Sequence, residues 1–337
     1  MLGTKVMVTG GAGFIGSELV RQLAASQCRV LVVDNLVNGR RENLQGSACE
    51  LVELEVADIR DLERMRVLLR GVDVVLHLAC LGVRHSIHSP IENHEVNATG
   101  TLRLLIAARE TGIKRFVYVS SSEVYGTARS VPMTEEHPTF PMTVYGSSKL
   151  AGECYTRAFW RTYGLPTVVV RPFNAYGPRC HHEGDSGEVI PKFLLRCMTG
   201  LPMVVFGDGT QTRDFTFVSD TAAGIRLAGT VAAAVGQTIN LGNGREICIN
   251  DLAQKIATVA DRSPNIVHDG PRPADVLRLY ADCTLAKNVL GFCTNITLEE
   301  GLRQLQQWYL NRGEALESLL ENEVVHNWER HRSRAGG

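Results

Sequence analysis

The chain has 337 residues, 21% of them charged, and a formal net charge of −1. That balance excludes a global field able to gather nucleic acid or anionic lipid, and no apolar run approaches the ~20 residues needed to span a bilayer. A strand pattern starts within the first residues, MLGTKVMVTGG, leaving no room for a signal peptide. The expectation is a cytoplasmic protein with no nucleic-acid or membrane partner.

The first half alternates two textures. KVMVTG, RVLVVD, ELVELEV, VDVVLHLA and KRFVYVSS are short, rich in β-branched residues and nearly continuously apolar. Such runs suit a parallel sheet buried on both faces. Between them, FIGSELVRQLAAS and NHEVNATGTLRLLIAARETG carry helical spacing. This rhythm predicts an α/β fold with a doubly wound parallel sheet over residues 1–172. Beyond it, RPFNAYGPRCHHEGDSGEVIP is rich in Pro, Gly and His and reads as a long loop. A helix at Pro191–Thr199, a short hairpin-like stretch and a helix in NDLAQKIATVA come next. These predict a smaller α/β lobe over residues 173–337, with the chain re-entering the first part around 214–242. Residues 312–331, RGEALESLLENEVVHNWERH, are expected to form a final amphipathic helix for packing or subunit contact.

Nine cysteines without a C-x-x-C pair argue against a disulfide framework. CHHEGD gathers Cys180, His181, His182 and Asp185, but adjacent residues rarely converge on one ion. A polar loop is the preferred reading, and no metal is expected.

VMVTGGAGFIGSELV places Gly10, Gly13 and Gly16 between a strand and a helix. Gly10 allows the tight turn, Gly13 lets backbone approach a pyrophosphate, and Gly16 permits close helix–sheet packing. The helix start, with Phe14 and Ile15, offers N–H groups to the phosphates. Asp34 ends the second strand, where a carboxylate accepts both hydroxyls of a ribose and repels a 2′-phosphate. That favours NAD over NADP, although Arg40 and Arg41 follow and an arginine can screen a phosphate. Asp58 has two readings, contact with the adenine ring or a cap on the helix of IRDLERM.

In VYGSSKL, Tyr145 and Lys149 lie four apart on one helix face. A phenol near its ordinary pKa of ~10 is a poor base, but a neighbouring ammonium favours phenolate. Tyr145 can then accept the proton of a substrate hydroxyl, with Lys149 also holding the nicotinamide ribose.

TGGAGFIGS, SSSEVYG, YGSSK, RPFNAYGP and GDGTQTRDFTFVSD, in consistent order over about residues 4–310, resemble the extended short-chain dehydrogenase/reductases that modify nucleotide sugars. The resemblance implies a Rossmann NAD domain, a substrate lobe, and a tightly held NAD that is reduced and reoxidised in each turnover. It also implies a homodimer through helices around 92–112 and 144–163. By it, Ser121 bonds the reacting sugar oxygen beside Tyr145, and Asn97 and Ser120 lie along the nicotinamide. Asn35, Asn38, Ile59, Leu78, Ala79 and Phe173 would contact the cofactor. Asn174 would meet the substrate diphosphate, with Arg213 and Arg272 as its diphosphate or sugar arginines. Arg213 has a second reading as an ion-pair partner of Asp214 or Asp220, and Arg278 as a plain surface residue. Ser122 and Arg84 would face the substrate, Arg84 within reach of a carboxylate.

These enzymes oxidise the sugar at C4 and then diverge to 4-epimerisation, 4,6-dehydration or decarboxylation. Glu123 is two residues past Ser121, and strand alternation would point both side chains the same way. By the resemblance, an acid here marks dehydratases and uronic acid decarboxylases. The preferred expectation is an NDP-hexose 4,6-dehydratase, with an N-acetylhexosamine as candidate sugar and Glu123 as the C5 base. The alternatives are a 4-epimerase, a UDP-glucuronate decarboxylase, a non-catalytic NAD sensor, and a Glu123 that only caps the next turn. One departure counts against the dTDP-glucose type of dehydratase. That type carries an Asp–Glu pair whose aspartic acid protonates the leaving hydroxyl, and here Ser122 stands in its place.

Overall fold

Runs of β-branched residues such as KVMVT and RVLVVD are buried along nearly their whole length and pair in parallel, Val6 opposite Val30 and Val8 opposite Val32. A computed structural model of the chain describes residues 3–46, 50–184, 186–272 and 275–328. Its first half runs β1 (Lys5–Thr9), α1 (Phe14–Ala25), β2 (Arg29–Asp34), β3 (Val52–Val56), α2 (Leu62–Leu68) and β4 (Val74–His77). It continues with α3 (Val83–His88), α4 (Pro90–His94), α5 (Thr101–Thr111), β5 (Arg115–Val119), α6 (Val144–Tyr163) and β6 (Thr167–Pro172). The second half holds β7 (Asn174–Tyr176), α7 (Val189–Met198), β8 (Met203–Phe206), β9 (Thr212–Phe217) and α8 (Val218–Ala228). After these come β10 (Thr238–Leu241), β11 (Glu246–Cys248), α9 (Ile249–Val259), β12 (Ile266–Asp269) and α10 (Leu298–Leu310).

Seven parallel strands form the central sheet in the order β10-β6-β5-β4-β1-β2-β3. Helices cover both faces, which is why the inner strands are buried along nearly their whole length. The edge strand β3 is the exception, partly exposed and alternating with Glu53 and Glu55. The strand order reverses between β1 and β4, and a crevice opens there at the carboxyl ends of the strands. A second apolar cluster joins α7, α9, α10 and β9 through residues such as Phe193, Ile256, Leu305 and Phe217.

Two sequence expectations fail in this second half. β8 and β9 are not a hairpin: β8 pairs in parallel with β12, while β9 lies between β11 and β7. The GDGT turn reverses the chain, but the two arms enter different sheets. The final helix expected over 312–331 is also absent among the described residues. Gly313, at φ +74°, breaks the chain direction, and only a short 3₁₀ turn at Ser318–Leu320 follows. Residues 329–331 of that expectation lie outside the described residues. The segment instead runs back over the molecule, where Arg196 pairs with Glu323 and Lys192 donates to the Val324 carbonyl.

A buried polar network locks α6 onto the sheet. Glu153 of α6 accepts from Ser120 Oγ at 2.6 Å and from two nitrogens of Arg171 on β6 at 2.8 and 2.7 Å. Arg171 donates onward to the Tyr125 hydroxyl at 2.7 Å, and that hydroxyl donates to Asn240 of β10 at 2.7 Å. Among the described residues, no helix is long and apolar enough to cross a membrane.

Candidate active site

One cavity of about 1050 Å³ runs from the glycine loop to the second group of sheets. The turn after β1 dictates its cofactor end. Gly10 has φ +70°, and a Cβ there would lie 2.7 Å from the Ala79 nitrogen. A Cβ on Gly16 would lie 2.1 Å from the Gly10 carbonyl oxygen, so α1 could not pack this close. At the end of β2, Asp34 accepts from the Ala12 and Leu36 amides at 3.0 and 2.9 Å. Burial raises its carboxyl above the usual range, against those two bonds. Arg40 is tied to Glu183, and neither Arg40 nor Arg41 lines the cavity. Asp58 lines it but caps no helix: Arg60 holds it in a fork at 2.8 and 3.0 Å, and Asp61 caps α2.

Tyr145 is the second residue of α6, whose start is capped by Thr143 accepting from the Gly146 amide at 3.1 Å. Lys149, one turn on, is buried and donates to the Val119 carbonyl at 2.9 Å, with Nζ 5.9 Å from the centre of the Tyr145 ring. Burial holds the Tyr145 phenol well above its ordinary pKa, and the Ser121 hydroxyl bonded to it acts in the opposite direction. The lowering influence is therefore Ser121, where the sequence pointed to the Lys149 ammonium. The charges of Glu123 and Glu188 also act on the phenol, both raising it.

Glu123 is not on a strand. β5 ends at Val119, and Ser122–Val124 form a 3₁₀ turn capped by Ser121, whose Oγ accepts from the Glu123 amide at 3.2 Å. The alternation argument thus had the wrong local structure, yet both side chains line the cavity. Burial raises the Glu123 carboxyl; Arg213, Arg84 and Arg272 oppose this, and Asp275 adds to it. Arg213 pairs with Asp275 at 2.7 Å, not with Asp214 or Asp220. Asp214 accepts backbone amides of Asn243, Gly244 and Ala281, and Asp220 those of Asn295 and Ile296. Arg272 lies over the rings of Phe206 and Trp328 at 5.1 and 5.4 Å, and burial lowers it to about 10. Its Nε and the Asn174 Oδ1 are buried without a hydrogen-bond partner. Arg278 pairs with Glu246 on the surface.

Gly10, Gly13, Phe14, Ile15, Gly16, Asp34, Asn35, Asn38, Asp58, Ile59, Leu78, Ala79, Ser120 and Phe173 all line this cavity. So do Ser121, Ser122, Glu123, Tyr145, Lys149, Arg84, Asn174, Arg213 and Arg272. Asn97 does not: its carboxamide is spent on Leu81, Asn93 and Ser148, clamping the loop after β4 to α6. Ser120 turns its hydroxyl away from the cavity to Glu153. Asp185 of the expected polar loop lies outside the described residues. Sequence reasoning missed Glu188, Lys192, Asp275, Cys80 and the tail residues Val325 and Trp328, all on the cavity wall. Only Glu188 carried a signal, an acid directly before an apolar helix, which reads as a cap.

Residues 6–242 match the family model described as NAD dependent epimerase/dehydratase family. A UDP-glucose 4-epimerase of Mycolicibacterium smegmatis is 35% identical, over 92% of this chain and 100% of that protein. UDP-glucuronic acid decarboxylase 2 of Arabidopsis thaliana is 35% identical, over 89% of this chain and 67% of that one. Among solved structures, the dTDP-glucose 4,6-dehydratase DesIV of Streptomyces venezuelae, with NAD and TYD bound, aligns with a TM-score of 0.86 and 32% identity over 92% and 98% of the two chains. With its parallel sheet, its glycine loop and a match over most of its length, the chain belongs to the NAD dependent epimerase/dehydratase family.

Proposed function

We propose that the protein is a nucleotide-sugar 4,6-dehydratase in which Glu123 removes the C5 proton. The observation that carries this reading is a half-buried carboxyl on the cavity wall beside Ser121, on which the guanidinium groups of Arg213, Arg84 and Arg272 act. The residues present fit NAD: the Gly10 and Gly16 turn leaves a cradle that a Cβ would fill, and Asp34 retains lone pairs for a ribose diol. Held by the Gly10–Gly16 turn and Asp34, a bound NAD would supply reversible hydride transfer to and from the sugar.

The chain's own residues handle protons and charge. Tyr145 takes the proton of the C4 hydroxyl, oriented by Ser121. Lys149 spends one donor on Val119 and keeps two for the cofactor ribose. Arg213 and Arg272 meet the diphosphate, a geometry suited to planar guanidinium groups. The C4 ketone acidifies C5–H, and Glu123 accepts that proton. Burial raises its carboxyl and so makes its carboxylate a stronger base, while the arginines act toward the ionised form.

A uronate decarboxylase is the second reading, supported by Arg84, a third guanidinium acting on Glu123. The test is incubation with a panel of sugar nucleotides and mass spectrometry of the products. Loss of water is expected; loss of carbon dioxide supports the second reading, and unchanged mass with altered retention means a 4-epimerase. In a dehydratase, Glu123→Gln abolishes exchange of C5–H with deuterated solvent and leaves C4 oxidation intact. Normal turnover by that variant overturns the role of Glu123.

A further inference from the structure

The mechanism above leaves unused one half-buried carboxyl on the cavity wall, that of Glu188, for which no ion pair is seen among the described residues. Glu188 immediately precedes α7, where an acidic side chain ordinarily accepts from the first amides of the helix. It makes no such bond, and among the described residues its carboxyl has neither a hydrogen bond nor a cation. Its backbone is fixed, with the amide donating to the His181 carbonyl at 2.9 Å. The side chain lines the same cavity as Glu123 and Tyr145, and an ionised carboxylate at either glutamate raises the phenol. The two carboxyls reach the cavity wall from different elements, one from the turn after β5 and the other from the start of α7. Burial raises both carboxyls: at Glu123 three arginines oppose it, whereas nothing opposes it at Glu188, which is pushed up to about 8. Of the two, Glu188 is the one whose surroundings favour the protonated form without opposition.

Dehydration needs such a group. Hydroxide is a poor leaving group, and its departure from C6 calls for a proton donor. The residue next to Glu123 is Ser122, which has no carboxyl to give one. We propose that Glu188 is that donor, its carboxyl proton passing to the C6 oxygen as the C6–O bond breaks. This rests on the dehydratase reading. The electrons of the C5–H bond form the C5=C6 double bond as Glu123 takes the C5 proton, and the C6–O pair leaves with the oxygen as water. Glu123 then returns its proton to C5. The proton that Tyr145 took from the C4 hydroxyl equals the one that Glu188 gave, so one turnover releases one water and no net proton.

The experiment compares wild type with Glu188→Gln on a sugar nucleotide that the wild type dehydrates and on its 6-deoxy-6-fluoro analogue. Fluoride leaves without a proton donor. In the variant, water loss should fall about 10²–10⁴-fold, with C5–H exchange retained and reduced cofactor accumulating. Fluoride release from the analogue should stay within a few-fold of wild type. Wild-type water loss by Glu188→Gln overturns the role of Glu188 and leaves the dehydratase reading standing. Joint loss of exchange and fluoride release also overturns it, because Glu188 then shapes the site. If the wild type removes water from no sugar nucleotide, both fall.

Discussion

At the glycine-loop end of the cavity, Asp34 accepts two backbone amides, Asp58 sits in the fork of Arg60, and Lys149 donates to Val119. At the far end, Arg272, Glu123 and Glu188 are half-buried on the cavity wall, and the Arg272 Nε has no hydrogen-bond partner. Drawing charge out of water is costly unless the charge is paired. The first end compensates within the chain and keeps its shape alone. The second leaves its groups open to an incoming ligand. On the proposed function, the paired end serves as scaffold and the unpaired end is where substrate and reaction are selected.

That contrast can be broken by substitution. The largest effect is expected from Tyr145→Phe, which removes the phenol proton relay. Turnover should fall about 10²–10⁴-fold while urea unfolding shifts by no more than about 1 kcal/mol. Next is Glu153→Ala, which leaves Arg171 buried without its partner. It should lose about 3–5 kcal/mol of stability in urea, although Glu153 does not line the cavity. Arg272→Met should act the opposite way. Substrate affinity measured by calorimetry should drop about 10–100-fold, equivalent to ~1.5–3 kcal/mol. The ligand-free variant should melt no lower than wild type, since an apolar side chain replaces a half-buried cation whose Nε has no hydrogen-bond partner. A fall in melting temperature would mean that Arg272 is part of the scaffold.

The smallest effects concern pH. His77 is buried between Thr9 and Thr101, and burial lowers it to about 3. A folded pKa below the unfolded value of ~6.5 means the unfolded chain binds the extra proton. Stability is thus lost as pH falls from about 6.5 toward 3, and His77→Gln should flatten that acid limb. Glu188 has the reverse sign, with its folded pKa raised to about 8. Here the folded chain holds the extra proton, so stability falls as pH rises from about 4.5 to about 8. Glu188→Gln should remove that slope in melting curves.

The same division explains what could be read from the sequence. Gly10 and Gly16 were legible because their constraint is local: a turn and a helix start that leave no room for a Cβ. Tyr145 and Lys149 were legible because helical spacing alone brings them together. Glu188, Asp275 and Trp328 were not, because three distant segments converge on the cavity only after the second half folds. Glu123 was placed in the cavity for a faulty reason, since the Ser121 cap that ends the strand looks like more strand in one dimension. The tail was misread as a helix because its apolar spacing is helical, while Gly313 and the contacts of Glu323 and Val324 impose another path.

The Ser120–Glu153–Arg171–Tyr125–Asn240 network has a consequence for how such a molecule can change. It anchors the helix of Tyr145 and Lys149 through side chains other than those of Ser122, Glu123 and Glu188, although Ser120 and Tyr125 flank the turn that carries the first two. On the proposed function, the hydrogen bonds that hold the phenol's helix are therefore not made by the side chains that choose among branches. A lineage can exchange those few side chains without realigning the phenol, so new outcomes for the oxidised sugar are reachable by single replacements. The network members have no such freedom: each is bonded to the next, and they change together or not at all.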